Sequence, residues 1–134
     1  MVGSQFLYSP EVLETVTARA AEMTEKINAP GNLPCKLVYK VTAKTNKKTA
    51  DVVKEANHDN NCLGIVIWCH TFSPSKMWIN SFVDHQKPYC NFTTQYNLEI
   101  PNEEIDMDFI NLNQADHGDQ EHGFITARPG CPGR

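Results

Sequence analysis

Apolar residues recur along this chain with two alternating periods, and the alternation predicts the architecture. Val12, Val16, Ala20, Met23 and Ile27 follow one another at steps of three and four, the stripe of an amphipathic helix. Ser9 can cap that helix, Pro10 suits its first position, and Glu11 favours its positive end. It must stop near Asn28, because Ala29-Pro30-Gly31 follows. Lys36 to Thr42 (KLVYKVT) alternates apolar and polar, the period of a strand near a sheet edge. Thr45 can cap a second helix, running through Val52, Val53 and Ala56 to about Asn57. Cys62 to Cys69 (CLGIVIWC) is short, β-branched and apolar on both faces, as a central parallel strand should be. Ser73-Pro74 begins another helix, through Met77, Trp78 and Phe82, and Pro88 to Phe92 (PYCNF) reads as the next strand. Asn102-Glu103-Glu104 starts a helix through Ile105, Phe109 and Ile110. A last helix is expected from Asp119 to Ala127.

Strands separated by helical connections imply a parallel sheet with right-handed crossovers. The expected fold is a three-layer, flavodoxin-like (Rossmann-like) α/β unit with helices on both faces. Gly3-Ser4-Gln5-Phe6-Leu7-Tyr8 reads as the loop after a strand, yet only Met1 and Val2 precede it. The first strand is therefore expected to be largely missing. One α/β domain over residues 1–127 and an irregular, Pro- and Gly-containing tail over 128–134 complete the expectation.

Composition narrows the function more than the fold. The chain has 134 residues, one domain's length, with 40% hydrophobic and 21% charged residues and a net charge of −4. That balance argues against a nucleic-acid partner, which needs a clustered basic face. The one basic run, Lys44 to Lys48, is short and reads as a solvated loop entering a helix. No apolar run approaches the ~20 residues of a membrane span, and no signal peptide shows. Five cysteines are an odd number, and Cys62, Cys69 and Cys90 lie in apolar runs. Buried, reduced thiols in a cytoplasmic protein fit better than a disulfide framework.

In open α/β sheets, ligands bind beyond the carboxyl ends of the strands. Residues 3–8, His70-Thr71-Phe72-Ser73-Pro74 and Thr93-Thr94-Gln95-Tyr96-Asn97 should lie there, with residues 111–119 folding back toward them. Amides, hydroxyls, imidazoles and aromatic faces dominate these loops, the groups that recognise neutral hydroxylated ligands. Each also has a plainer role. Gln5 is as well suited to satisfying loop backbone, His70 to a supporting hydrogen bond, and Phe72 to the core. His117, Glu121 and His122 raise the question of a metal, but the spacing is loose for zinc, and a solvated polar helix end is the better reading. Asp106 and Asp108 fall on different helix faces, and no Gly-x-Ser-x-Gly elbow is present.

Taken together these loops resemble the N-terminal domain of L-arabinose isomerases, from Gly3 to about Ile125. Residues 70–79 (HTFSPSKMWI), Glu104 to Phe109 (EIDMDF) and Asn111 to Gln114 (NLNQ) carry most of the resemblance. Gly3-Ser4-Gln5, Leu7-Tyr8, Thr94-Gln95 and His117-Gly118-Asp119 add to it. The resemblance implies a part in converting L-arabinose to L-ribulose, and often D-galactose to D-tagatose, in a homo-oligomer that is a hexamer in the family. It implies that Gln5, Leu7, Phe72, Gln114 and His117 line the sugar pocket of an adjacent subunit. The family's divalent metal, usually Mn²⁺, is held by glutamates and histidines of a part not matched here, so no catalytic or metal-binding residue is expected in this chain. Departures from the family pattern are Phe6 and Thr93 at common histidine positions, Ser9 at a common glycine, Asp116 at a small residue, and His122 at an aromatic position. A stand-alone sugar-binding module and a non-functional fragment are the alternative readings.

Overall fold

The computed structural model describes residues 10–69, 71–72, 74–102 and 105–127. Helix α1 (Pro10–Ile27) buries Val16 and Ala20, the centre of its apolar stripe. The chain leaves it through a turn in which Gly31 takes φ 88°, a conformation open to glycine. Helix α2 (Asn46–His58) is capped by Thr45, whose hydroxyl accepts the Lys48 N–H at 3.3 Å. Strand β1 (Ile65–Cys69) runs parallel to β2 (Tyr89–Thr93), with Ile65 opposite Tyr89 and Cys69 opposite Thr93. Their connection is a 3-10 turn over Ser75–Trp78 that passes directly into helix α3 (Ile79–Val83). Helices α4 (Met107–Asn113) and α5 (Ala115–Thr126) follow.

The core forms where both faces of this unit meet. Val53 of α2, Ile67 and Cys69 of β1, Met77 and Trp78 of the 3-10 turn, Phe82 of α3 and Ile125 of α5 pack in one cluster. Thr49 is polar but wholly buried, and its hydroxyl lies 2.8 Å from the Asn46 carbonyl, 3.1 Å from that of Met77 and 2.8 Å from the Ser81 hydroxyl. It ties α2 to α3 without leaving a polar orphan. At the start of β1, a Cβ on Gly64 would sit 2.6 Å from the Pro88 carbonyl oxygen, which accepts the Ile65 N–H at 3.0 Å. Only a glycine lets the two strands close there. Indole Nε1 of Trp68 donates to Thr94 Oγ1 at 2.8 Å, fixing the exit from β2.

The result is a mixed α/β fold with a parallel sheet, consistent with the flavodoxin-like expectation, although the described sheet has two strands. Several boundaries differ from those the sequence predicts. Residues 36–42 alternate in burial, with Leu37, Tyr39 and Val41 half-buried, but form no strand. The Asn28 side chain takes both backbone groups of Leu37, accepting its N–H at 2.8 Å and donating to its carbonyl at 2.7 Å. Helix α4 begins at Met107 rather than near Asn102, because Asp106 caps it by accepting the Phe109 N–H at 2.8 Å. Helix α5 begins at Ala115, four residues before Asp119. Ala115, Gly118, His122 and Ile125 form its buried stripe, so the helical period starts there. The expected first strand and the tail over 128–134 lie outside the described residues.

Candidate functional site

Phe72 follows β1 and is half-buried rather than a core residue. Its N–H donates to the Asn111 carbonyl of α4 at 2.8 Å, which draws the loop after β1 against the α4–α5 junction. The Phe72 ring then meets the exposed His117 imidazole, with centroids 4.5 Å apart and planes tilted by 39°. Contacts from the segment after β1 help hold His117's helix in place. The buried Ser75 hydroxyl donates to the Gly118 carbonyl, and Lys76 Nζ lies 3.8 Å from Glu121 Oε1. Asp116, also in the first turn of α5, complements the positive helix end.

Gln114 separates the two helices. Its backbone (φ −100°, ψ 48°) belongs to neither, and its exposed side chain makes no capping bond to α5. Asn113 beside it is held by three hydrogen bonds, to Phe109 and to Asn97. The loop after β2 is anchored from the other side by Arg19, which donates to the Tyr96 carbonyl at 2.9 Å and lies 4.2 Å from that ring's centroid. The topology therefore gathers Phe72, Gln114 and His117 with the loop over 94–97. Gln5, Leu7, His70 and Ser73 lie outside the described residues.

This surface can do one kind of chemistry well. An imidazole and an amide each both donate and accept, and an aromatic face offers an apolar plane. No ion pair is required of a ligand, so a neutral polyhydroxylated molecule suits it. Behind the surface, Asp119 reaches β2, where Asn91 Nδ2 donates to its Oδ1 at 3.1 Å. Burial pushes the Asp119 carboxyl above its usual range, against the pull of hydrogen bonding to Asn91 and Thr93.

His122 does not sit on a solvated helix end, and it shares no face with His117. It is 1% exposed, edge-on to Phe82 (centroids 5.3 Å) and to Tyr89 (6.0 Å). Neither ring nitrogen has a hydrogen-bond partner, and burial pulls its pKa down to about 4. Among the described residues, no group of three or more His, Cys, Asp or Glu is placed to hold a metal ion. No described helix is long and apolar enough to cross a membrane. An open cavity of about 360 Å³ between Asn28 and residues 33–36 shares no residue with the Phe72–His117 cluster. Ser75 and Asn113 lie inside the motifs named above, but their contacts with Gly118 and Asn97 are not visible in residue types.

Comparison with known proteins places these motifs. Residues 1–133 match the family of L-arabinose isomerase N-terminal domains. The chain is 49% identical over 128 residues to the L-arabinose isomerase of Klebsiella pneumoniae (strain 342). It is 48% identical over the same length to those of Enterobacter sp. (strain 638) and Escherichia coli (strain SMS-3-5 / SECEC). Each match covers 96% of this chain and 26% of the relative, so the chain spans about a quarter of the relatives' length.

Proposed function

The chain belongs to the family of L-arabinose isomerase N-terminal domains, and we propose that it acts as the substrate-closing domain of such an isomerase. In this reading residues 1–127 form the domain, and Gln5, Leu7, Phe72, Gln114 and His117 line one wall of a sugar pocket. The pocket belongs to an adjacent subunit of a homo-oligomer, a hexamer by family resemblance. The reaction is the cytoplasmic interconversion of an aldose and a ketose, L-arabinose to L-ribulose and also D-galactose to D-tagatose. What supports it most is the Phe72–His117 ring pair, 4.5 Å apart, with Gln114 beside it at the helix junction.

The described residues do not fit a divalent metal. Manganese and the groups that move the proton belong, in this reading, to the remaining part of the enzyme, where a metal lowers the cost of enediolate charge. The work of this chain is to bind, orient and exclude water. His117 and Gln114 match sugar hydroxyls by donating and accepting, each bond contributing about 0.5–1.5 kcal/mol net. Phe72 packs against the apolar face of the ring and holds the imidazole in place.

Joining this chain to the remaining part of the Klebsiella pneumoniae relative tests the reading. Phe72→Ala and Gln114→Ala should each lower kcat/KM for L-arabinose by about tenfold, on the order of 1.4 kcal/mol, with manganese affinity unchanged. Weaker manganese binding with intact sugar kinetics would overturn the pocket assignment.

A further inference from the structure

We infer that Asn113 is a positioning residue that aims the Gln114 side chain, an inference that rests on the pocket reading above. Gln114 sits at a break between two helices, with non-helical backbone and no capping bond from its own side chain. Helical geometry therefore does not fix where its amide points. The residue before it does. Asn113 Nδ2 donates to the Phe109 carbonyl at 3.1 Å, which closes the last turn of α4. The same nitrogen donates to Asn97 Oδ1 at 3.0 Å, and Asn113 Oδ1 accepts the Asn97 N–H at 2.9 Å.

The bond to Phe109 alone would finish the helix. The reciprocal pair with Asn97 does something more, because Asn97 lies in the loop that leaves β2. That loop is itself anchored, at Thr94 by Trp68 and at Tyr96 by Arg19. Asn113 thus ties the helix break to a fixed point on the sheet's carboxyl end, one residue from Gln114. Loss of the pair frees the break to rotate, and the Gln114 amide loses its preset direction. Preset direction is what a binding group needs to avoid an ordering cost in the complex. An aspartate at this position keeps the bond accepted from the Asn97 N–H but loses both bonds given by Nδ2.

The experiment uses the joined enzyme described above and a cycle of variants read as KM and kcat for L-arabinose. Asn113→Ala is expected to raise KM several-fold, approaching the effect of Gln114→Ala, and Asn97→Ala and Asn113→Asp, each of which leaves the bond from the Asn97 N–H in place, to raise it less. In a Gln114→Ala background, Asn113→Ala should add nothing to KM, because the group it positions is gone. Asn97→Ala, on an exposed residue, keeps the test valid if Asn113→Ala folds poorly. Equal effects of Asn113→Ala in both backgrounds, or none in either, would overturn the positioning role. A silent Gln114→Ala would remove the pocket reading itself, and a strong Gln114→Ala beside silent Asn113→Ala and Asn97→Ala would remove only this inference.

Discussion

Protonation of His122 should destabilise this domain in mildly acidic solution, and the size of the effect follows from its surroundings. The imidazole is 1% exposed, flanked by Phe82 and Tyr89, with both nitrogens unpartnered. In the folded chain its pKa is about 4, against 6.5 when solvated. The folded state therefore binds the proton less readily than the unfolded state. His122's contribution is complete above pH 6.5 and is lost as pH falls from there toward 4. At 1.36 kcal/mol per unit of difference, the loss is about 2 kcal/mol by pH 5 and about 3 kcal/mol by pH 4.

His85, wholly buried beside Phe82 and Tyr89, has its pKa lowered by burial and adds in the same direction. Asp119 acts oppositely, since its raised carboxyl pKa favours the folded state as pH falls. Exposed pairs such as Lys47–Asp51 and Lys26–Glu22 respond alike in every variant and cancel in the comparison. His122→Phe isolates the effect. It removes two unpartnered buried nitrogens, so it should stabilise the chain at pH 7 by about 1–3 kcal/mol. Its advantage should widen by about 2 kcal/mol at pH 5. Urea unfolding of both proteins from pH 7.5 to 4 measures this. Parallel pH profiles for wild type and His122→Phe would refute the reasoning.

Other outcomes follow from single contacts. Thr49→Val should cost about 1–3 kcal/mol in urea unfolding, because it strands the Met77 carbonyl and the Ser81 hydroxyl in the core. Gly64→Ala should cost a similar ~1–3 kcal/mol by forcing a Cβ against the Pro88 carbonyl, read as a lower melting temperature. The chain alone, incubated with L-arabinose and Mn²⁺, should form no more ketose than the metal by itself, since among the described residues no three or more His, Cys, Asp or Glu are placed to hold a metal ion.

The helices and the two paired strands were legible because their signals are local. The stripe of α1, the Thr45 cap and the short apolar run of β1 each settle in a few residues. What the sequence misplaced depended on side chains meeting backbone at a distance. Residues 36–42 carry a strand's alternation, but the backbone of Leu37 is taken by the Asn28 side chain. Asp106 outcompetes the earlier start at Asn102 by a cap that depends on the loop's path. His122 looked solvated because its type is polar, and only the stripe beginning at Ala115 turns it inward. The candidate site was partly legible. Phe72, Gln114 and His117 sit together through the Phe72–Asn111 and Ser75–Gly118 bonds, and neither bond is visible in residue types.

The central claim is that this domain closes the pocket of another subunit, and mixing subunits tests it most directly. One joined enzyme would carry Gln114→Ala with His117→Ala, leaving its manganese-binding part intact. The other would keep this domain unchanged and lack function in the manganese-binding part. Each should convert L-arabinose poorly alone. Dissociated and reassembled together, they should recover activity well above the sum of the two, because an intact wall meets an intact metal site across the subunit boundary. Mixed assemblies no more active than the two separate enzymes would contradict the claim.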